Sequence, residues 1–455
     1  MLSCKKSQDE GVLILTKVPA GSYDPASREI ESWRYAPGAQ IVMVDPVRPA
    51  SARILTGDFH SACYPEISYD GKNMVFSAKE SENDPWQIYE MEIKNGRYRK
   101  VTSFKTDCLD PVYLPAGRMA FSRYTENDTV RSAYSIYTGN LDGTNIRQVT
   151  FGPYEELATT VLKDGRFLCV HRNKLSENLF PVLEVMRPDG TKADMFYKGG
   201  KDTRIISRTR QTGDGKLWFV ETSGESSGEY DLISISYNRP LHSRINLTKE
   251  TSGNFNSVLP LLSGKTVVSY CPEGSDHYAL YEFDAASGSL GRLIFEDTEY
   301  SITEAAEATK YQRPKKLPSE VDMAVKTGLL LCQDANFTGY KPGGMNTNNR
   351  MAAMVEILGI DTTYGAVPVE IDGSVYLKII ADTPFRIRTL DKNGNVIAGP
   401  CSYIWLRPNE RRGCVGCHED PETVPQNRIP GAVRKDPFII PVHVTEIKEK
   451  TVELE

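Results

Sequence analysis

One stretch decides the fold of this chain: YPEISYDGKNMVFS, at residues 64–77. An extended run of mixed polar and apolar residues leads into a tight turn at Asp70-Gly71, and a strongly apolar run follows. Asp-Gly between two such runs favours a tight hairpin turn, because glycine accepts positive φ without steric cost. The stretch therefore predicts two antiparallel strands that meet at Gly71.

The same pattern recurs along the first two thirds of the chain. Its anchoring glycines lie 46, 48, 50 and 49 residues apart, which is about the length of a propeller blade. A second hairpin is predicted between anchors, for example at residues 87–93 and 99–102. Each repeat thus predicts four short strands, and such sheets must stack radially because one alone cannot bury both faces. The anchors are Gly71, Gly117, Gly165, Gly215 and Gly264.

Five anchored copies and an N-terminal segment predict a six-bladed β-propeller over residues 11–331. The N-terminal runs at residues 11–15 and 40–45 read as blade strands that lack an innermost partner. A strand within residues 321–331, around Gly328, is expected to supply that partner and to close the ring.

A second, smaller domain is predicted after the propeller. Residues 332–364 read as a linker, since residues 336–350 are rich in Gly, Asn, Thr and Pro. Residues 365–455 contain short apolar runs of period two and an Asn393-Gly394 turn, which are hairpin signals. The fold class is therefore mainly β: a propeller plus a small β-sandwich-like domain that carries a C-x-x-C-H loop.

That loop is Cys414-Val415-Gly416-Cys417-His418. Covalent haem needs two thiols that reach two vinyl groups of one porphyrin, with an imidazole beside them to meet the iron, and this spacing supplies all three. We expect one haem c, attached to Cys414 and Cys417, with His418 as axial ligand. His443 is the candidate second ligand, although its alternating strand pattern favours a packing or solvent-facing role.

Two arginines, Arg411 and Arg412, come directly before the motif. Arginine matches carboxylates with two parallel hydrogen bonds, so both are candidates to contact the haem propionates. The alternative is a solvated basic turn.

Two other readings of the motif stay open. Cys401 precedes Cys414 by 13 residues, so Cys401, Cys414 and Cys417 with His418 or His443 would make a Cys₃His zinc set. A structural thiol pair is the third reading. Haem content separates the first reading from the other two.

Composition and charge limit the partners and the membrane contacts expected for the chain. A net charge of -6 over 455 residues gives no reason to expect nucleic acid, and no apolar run is long enough to span a membrane. Residues 1–10 read as an N-terminal tether. Leu2-Ser3-Cys4 resembles the end of a bacterial lipoprotein signal, so Cys4 is a candidate for lipidation and the only expected membrane link. A bare cysteine is the alternative.

Two family resemblances rest on these features. The repeats resemble in part the propeller of the TolB family, whose blades carry a Ser-Pro-Asp-Gly turn before an apolar strand. Here the turns are Tyr69-Asp70-Gly71, Lys163-Asp164-Gly165 and Gly213-Asp214-Gly215, which keep the Asp-Gly half. Residues 365–421 look like the middle domain of the hydrazine synthase alpha subunit. The matching features are Val367 to Ser374, Ala381 to Pro384, Leu390-Asp391, and Trp405 through the Cys414–Glu419 block. This second resemblance implies haem c, an exported location and redox chemistry.

The sequence also departs from the second family. In that family's name-giving enzyme a Tyr just after the motif holds the iron and the motif His binds zinc, whereas residues 419–425 here contain no Tyr. His418 is therefore the expected axial ligand. The sequence carries a single C-x-x-C-H motif, so hydrazine synthesis itself is not expected.

The functional expectation is an exported bacterial c-type haem protein, periplasmic or a lipoprotein of the outer membrane or cell surface. It would serve in electron transfer or small-molecule redox chemistry, with a redox partner protein or a small substrate. If it is an enzyme, it is an oxidoreductase. The alternative function is a non-redox cell-surface binding scaffold with a structural zinc or thiol site at the motif.

Overall fold

The computed structural model describes residues 11–22, 34–126, 133–173, 181–199, 203–223, 229–337, 351–416, 422 and 427–442. Strands dominate these residues. Within the described ranges, no helix is long and apolar enough to cross a membrane.

The described residues between 13 and 307 form twenty-five strands, with short 3₁₀ turns at Pro49–Ser51 and Pro240–His242. They are β1 (Leu13–Pro19), β2 (Gln40–Val44), β3 (Arg53–Ile54), β4 (Ser61–Ile67), β5 (Asn73–Lys79), β6 (Gln87–Glu92), β7 (Tyr98–Lys100), β8 (Cys108–Leu114), β9 (Arg118–Thr125), β10 (Ala133–Asn140), β11 (Arg147–Gln148), β12 (Tyr154–Val161), β13 (Phe167–Asn173), β14 (Val182–Met186), β15 (Asp194–Tyr197), β16 (Thr203–Ile205), β17 (Arg210–Gln211), β18 (Lys216–Ser223), β19 (Tyr230–Ser236), β20 (Ile245–Asn246), β21 (Asn254–Pro260), β22 (Thr266–Cys271), β23 (Ala279–Asp284), β24 (Ser289–Phe295) and β25 (Tyr300–Glu307).

These strands form a ring of sheets. In the described part of the chain the sheets are β25-β1-β2-β3, β4 to β7, β8 to β11, β12 to β15, β16 to β20, and β21 to β24. Each sheet contacts the next, and the sheet that contains β1 contacts both β4 and β21, so the ring is closed. The predicted β-propeller is confirmed.

The five anchoring glycines adopt the backbone conformation that the predicted turns require. All five have positive φ and lie in turns between the inner strand of a sheet and the next strand. Gly71 shows why glycine is needed: its φ is +74°, and an added Cβ would lie 2.7 Å from the carbonyl carbon of Thr309.

The ring closes in a different place from the one predicted. Tyr300–Glu307 pairs antiparallel with Leu13–Pro19, from Leu13↔Glu307 to Pro19↔Tyr300. The expected closing strand within residues 321–331 was wrong, because Thr327–Asp334 pairs with strands of the second domain. Inner strands face the crowded axis and carry polar residues, so Tyr300–Glu307 lacks the apolar run that marks the other strands.

In the described part of the second domain there are eight further strands and a 3₁₀ turn at Gly431–Arg434. Its two sheets are β32-β26-β29-β33 and β28-β27-β30-β31, and apolar side chains of both sheets share one core. The predicted β-sandwich-like domain is confirmed. The strands are β26 (Thr327–Asp334), β27 (Met354–Leu358), β28 (Thr363–Pro368), β29 (Val375–Ile380), β30 (Arg386–Leu390), β31 (Val396–Ala398), β32 (Arg411–Gly416) and β33 (Phe438–Ile440).

The predicted domain boundaries need correction. The sandwich begins at β26, before residue 332, and β27 lies inside the predicted linker of residues 332–364. The connection between the domains is instead an extended segment at residues 308–326, which runs across one face of the propeller. Tyr311 Oη donates to Ile67 O at 2.6 Å, and Lys315 N donates to Lys163 O at 3.1 Å.

Trp405 joins the sandwich to the propeller. Its side chain is 1% exposed and packs in a cluster with Tyr154 and Phe167 of the propeller. Beside it, Tyr154 Oη donates to Tyr403 O at 2.6 Å, and Lys192 N donates to the buried Glu410 carboxylate at 2.7 Å. The two domains therefore share a dry apolar contact with hydrogen bonds around it.

Bulges recur on the inner strands of the ring. Tyr64, Asp110 and Ala158 have φ of 54°, 49° and 54°, and each lies where the strand register shifts. They are 46 and 48 residues apart, the same intervals as the first glycine anchors. A bulge re-aims side chains, and at Asp110 the carboxylate reaches the propeller axis.

A charge-balanced group of six side chains lies at this axis; we call it the axial network. It comprises three guanidiniums and three carboxylates from several sheets. Asp110 accepts from Arg34 at 2.8 Å and from Arg208 at 3.0 Å, and its second oxygen accepts from Ala158 N at 2.7 Å. The members are Arg34, Glu66, Asp110, Arg208, Arg210 and Glu304.

Replacing Asp110 by Asn should strongly destabilise the protein. The substitution keeps the shape but leaves Arg34 and Arg208 buried without this carboxylate. We expect the free energy of unfolding at pH 7, measured by urea denaturation, to fall by about 3–5 kcal/mol. Glu92→Gln, which breaks an exposed pair with Arg97, is the control and should change nothing measurable. Equal stability of the two variants would contradict this role of the network.

Asp110 also makes the stability of the protein depend on pH in the acid range. Burial alone would raise the pKa of Asp110, but the guanidiniums of Arg34 and Arg208 outweigh it and lower the pKa to about 2. Since the ordinary value is about 3.9, the contribution is complete above that value and is lost as pH falls through about 2. Wild type should therefore lose about 2–3 kcal/mol relative to Asp110→Asn over that window.

Trp405→Ala should uncouple the domains. Removing a buried indole from a packed cluster costs about 3–5 kcal/mol. We expect lower stability in urea denaturation and faster proteolytic cleavage within residues 308–326. Ile371→Ala, at a fully exposed position, is the control. An unchanged urea midpoint for Trp405→Ala would show that this contact does not hold the domains together.

Candidate functional site

A cavity of about 600 Å³ lies beside the C-x-x-C-H motif. Its walls come from both sheets of the sandwich and from propeller residues 192–195, so both domains build it. Apolar groups make up most of the wall, and polar side chains come from Lys192, Asp194, Thr389, Ser402, Arg411 and Arg412. The aliphatic residues of the sandwich that line it are Leu330, Ala335, Val355, Val375, Leu377, Ile387, Ile404 and Val415.

Strand β32 places the first motif cysteine against this cavity. β32 pairs in parallel with β26, and Cys414 lies opposite Cys332 in that register. Both cysteines line the cavity. Cys417, His418 and the second-ligand candidate His443 lie outside the described residues, as does Cys4.

Gly416 fixes how the chain leaves β32 toward the rest of the motif. A Cβ at this position would lie 2.2 Å from Phe337 O. The second of the two residues between the motif cysteines is therefore held against the end of the β26 segment. Any larger residue would clash with this carbonyl unless the chain shifted.

The two arginines before the motif have different surroundings. Arg412 donates through Nε and Nη2 to the fully buried Glu410 carboxylate, at 3.1 and 2.8 Å. Glu410 also accepts from Arg407 N at 2.7 Å. Arg411 is exposed, and both arginines line the cavity. Arg411 thus keeps a solvent-facing guanidinium at the rim, while Arg412 is engaged in holding Glu410.

Cys401, the candidate zinc ligand, also lines the cavity. Its Sγ accepts a hydrogen bond from Ile387 N at 3.1 Å, and burial raises the pKa of its thiol. The structure therefore brings Cys401 and Cys414 to one cavity. It adds Cys332, which sequence reasoning missed because its apolar strand reads as a site for a buried thiol.

The site residues fit a haem in three respects. The cavity is of the size and apolar character typical of ligand and cofactor pockets. A motif thiol lies on its wall, and a cationic side chain lies at its rim. A porphyrin has an apolar ring and two charged propionates. The apolar walls suit the ring, and the cationic side chain at the rim suits the propionates.

A second cavity, of about 530 Å³, lies at the propeller axis beneath the segment of residues 308–326. Glu66 and Arg210 of the axial network line it together with Lys163, Arg313 and Lys315. Sequence reasoning missed this cavity, because its residues come from inner-strand ends far apart in the chain.

Known proteins share parts of this sequence and of this architecture. Residues 331–419 match the family model of the hydrazine synthase alpha subunit middle domain. Hydrazine synthase subunit alpha of Kuenenia stuttgartiensis is 21% identical over 513 residues, which cover 84% of this chain and 62% of that protein. The solved Kuenenia stuttgartiensis hydrazine synthase aligns with a TM-score of 0.81 and 19% identity, over 93% of this chain and 71% of that chain.

A separate similarity concerns part of the chain alone. The Tol-Pal system protein TolB of Francisella tularensis is 32% identical over 109 residues, 24% of each chain. The fold and the site together define a β-propeller with a docked β-sandwich that carries a C-x-x-C-H motif. The chain is similar, at a distance, to the hydrazine synthase alpha subunit, and it spans less than two thirds of that protein's length.

Gly416→Ala should disturb the motif and Gly413→Ala should not. An added Cβ at Gly416 meets the Phe337 carbonyl, whereas nothing lies within 4 Å of one at Gly413. Overpacking of this kind typically costs about 1–3 kcal/mol. We expect a lower urea midpoint for Gly416→Ala only. Equal midpoints would mean that the close approach at Gly416 does not constrain the motif.

Proposed function

We propose that this chain is an exported bacterial c-type haem protein that carries one covalent haem on Cys414 and Cys417, with His418 as an iron ligand. The observation that carries the proposal is that Cys414 lines a 600 Å³, mostly aliphatic cavity inside the domain that matches the hydrazine synthase alpha middle domain. Covalent haem attachment at this spacing takes place outside the cytoplasm, and the similarity to TolB is consistent with export.

Each part of the site has a role in this proposal. The thioether bonds would fix the porphyrin, the aliphatic walls would exclude water from its faces, and Arg411 would offer its guanidinium to a propionate. Arg412 would act indirectly, because its ion pair with Glu410 holds the start of β32. Bound haem would supply a one-electron redox centre, suited to electron transfer or small-molecule redox chemistry.

The partner of such a centre is a redox protein or a small substrate. Residues 192–195 of the propeller form one side of the cavity, so the propeller would shape access to the haem. Carbon monoxide binding to the reduced protein separates an open iron position, suited to substrate chemistry, from a closed one, suited to electron relay. Production of hydrazine is not part of the proposal.

The second candidate function is a non-redox surface scaffold with a zinc site. Cys332, Cys401 and Cys414 line one cavity, but among the described residues their sulfurs do not converge within 4.8 Å, so a zinc set at the motif would require Cys417 or His418. Thiolates are preferred ligands of structural zinc.

Haem attachment is tested by expression with export and a cytochrome c maturation system. We expect one haem per chain that resists acid–acetone extraction and gives a c-type α-band on reduction. Cys414→Ala and Cys417→Ala should each weaken attachment, and the double variant should retain none.

Cys401→Ala is the matched control, since it removes a cavity thiol outside the motif. Under the haem proposal it retains the full haem content. A wild type that contains zinc and no haem, and loses the zinc with Cys401→Ala, would establish the second candidate instead. A wild type with neither would overturn both.

A further inference from the structure

Three ionisable side chains meet in the propeller, away from the cysteine motif. Glu156 lies on β12, His171 on β13 and Glu184 on β14, so the cluster spans three neighbouring strands of one sheet. Glu156 pairs directly with His171, and Glu184 pairs with Cys169, two residues from His171 on the same face. One ligand atom from each side chain lies within 4.8 Å of the other two.

The spacing of these atoms suits coordination of one ion. His171 Nδ1 lies 3.1 Å from Glu184 Oε2 and 3.8 Å from Glu156 Oε1. Metal–nitrogen and metal–oxygen bonds are about 2.0–2.2 Å. Two ligand atoms around one ion are therefore roughly 3.0 Å apart at a right angle and roughly 3.5 Å apart at a tetrahedral angle.

The same three atoms are buried without hydrogen-bond partners. Glu156 Oε1, His171 Nδ1 and Glu184 Oε2 accept or donate no hydrogen bond, although the three residues are only 1%, 9% and 8% exposed. Buried polar atoms are almost always satisfied in proteins. Three such atoms that converge on one point are unusual unless something else binds them.

Neighbouring groups hold the side chains in this arrangement. The other Glu156 oxygen accepts from the Thr150 hydroxyl and, at 3.4 Å, from Ile136 N. The His171 ring packs on Tyr154, with centroids 3.9 Å apart. Tyr154 in turn donates to Tyr403 of the sandwich, so the cluster lies behind the surface on which the second domain docks.

Charge gives the last argument. Two buried carboxylates close together are costly away from water unless a cation compensates their charge. The nearby Arg172 does not compensate this charge, because it pairs with Glu155 at 2.6 Å. One divalent ion would neutralise the two carboxylates.

The geometry points to a metal site: Glu156, His171 and Glu184 bind one divalent first-row transition ion, Zn²⁺ or Mn²⁺. One imidazole nitrogen with two carboxylate oxygens is a donor set that both ions accept. The burial makes the ion structural, and its effect is to stabilise the sheet against which the sandwich docks. The site is independent of residues 414–418.

The test is metal content of the exported full-length protein. After chelator treatment, the protein is reloaded with Zn²⁺ or Mn²⁺, desalted, and analysed by elemental mass spectrometry with haem iron counted separately. We expect one added ion per chain and a higher melting temperature in wild type. Glu184→Gln and His171→Gln should take up no ion at this site and show no melting shift.

Two controls assign the ion. Glu155→Gln removes an adjacent buried carboxylate outside the cluster and should retain uptake, and Cys414→Ala should retain it even if the motif binds zinc. Failure of wild type to take up either ion, or equal uptake by Glu184→Gln, would overturn the proposal. If the cluster variants do not fold, anomalous diffraction from zinc-loaded wild type decides: an ion between these residues supports the site, and its absence there rejects it.

Discussion

The axial network is the constraint on which the rest of the structure depends. Three guanidiniums and three carboxylates meet there, the carboxylates from three different sheets, and Asp110 alone receives two guanidiniums and a backbone amide. Buried ion pairs add little net stability over an apolar core, but an unpaired member is costly. The network therefore specifies which inner strands converge and in what register, since any slip would leave a buried charge without its partner.

The propeller also provides the surface on which the second domain docks. The closing strand Tyr300–Glu307 sends the chain into residues 308–326, which cross the propeller face and deliver β26 beside the docking position. Trp405 then packs on Tyr154 and Phe167. The candidate haem cavity forms only because both domains meet there, and its walls belong to neither one alone.

Two different cofactor environments are thus proposed within one chain. The motif cavity is large and mostly aliphatic and has thiols on its wall, whereas the Glu156–His171–Glu184 cluster is compact and anionic. Two carboxylates and one imidazole that converge within 4.8 Å suit a small cation, while the motif cavity suits an apolar macrocycle.

The sequence by itself determined the repeat, the blade hairpins, the sandwich and the position of the C-x-x-C-H motif. These are local: an Asp-Gly turn such as Asp70-Gly71 and a period-two run act over a few residues, and C-x-x-C-H is contiguous. Tertiary structure decided the closing strand, the domain boundary, the cavity around Cys414 and the cluster at His171. Those depend on residues up to hundreds of positions apart, and β26 shows the limit: its apolar run fits a blade strand locally, and only its partners place it in the sandwich.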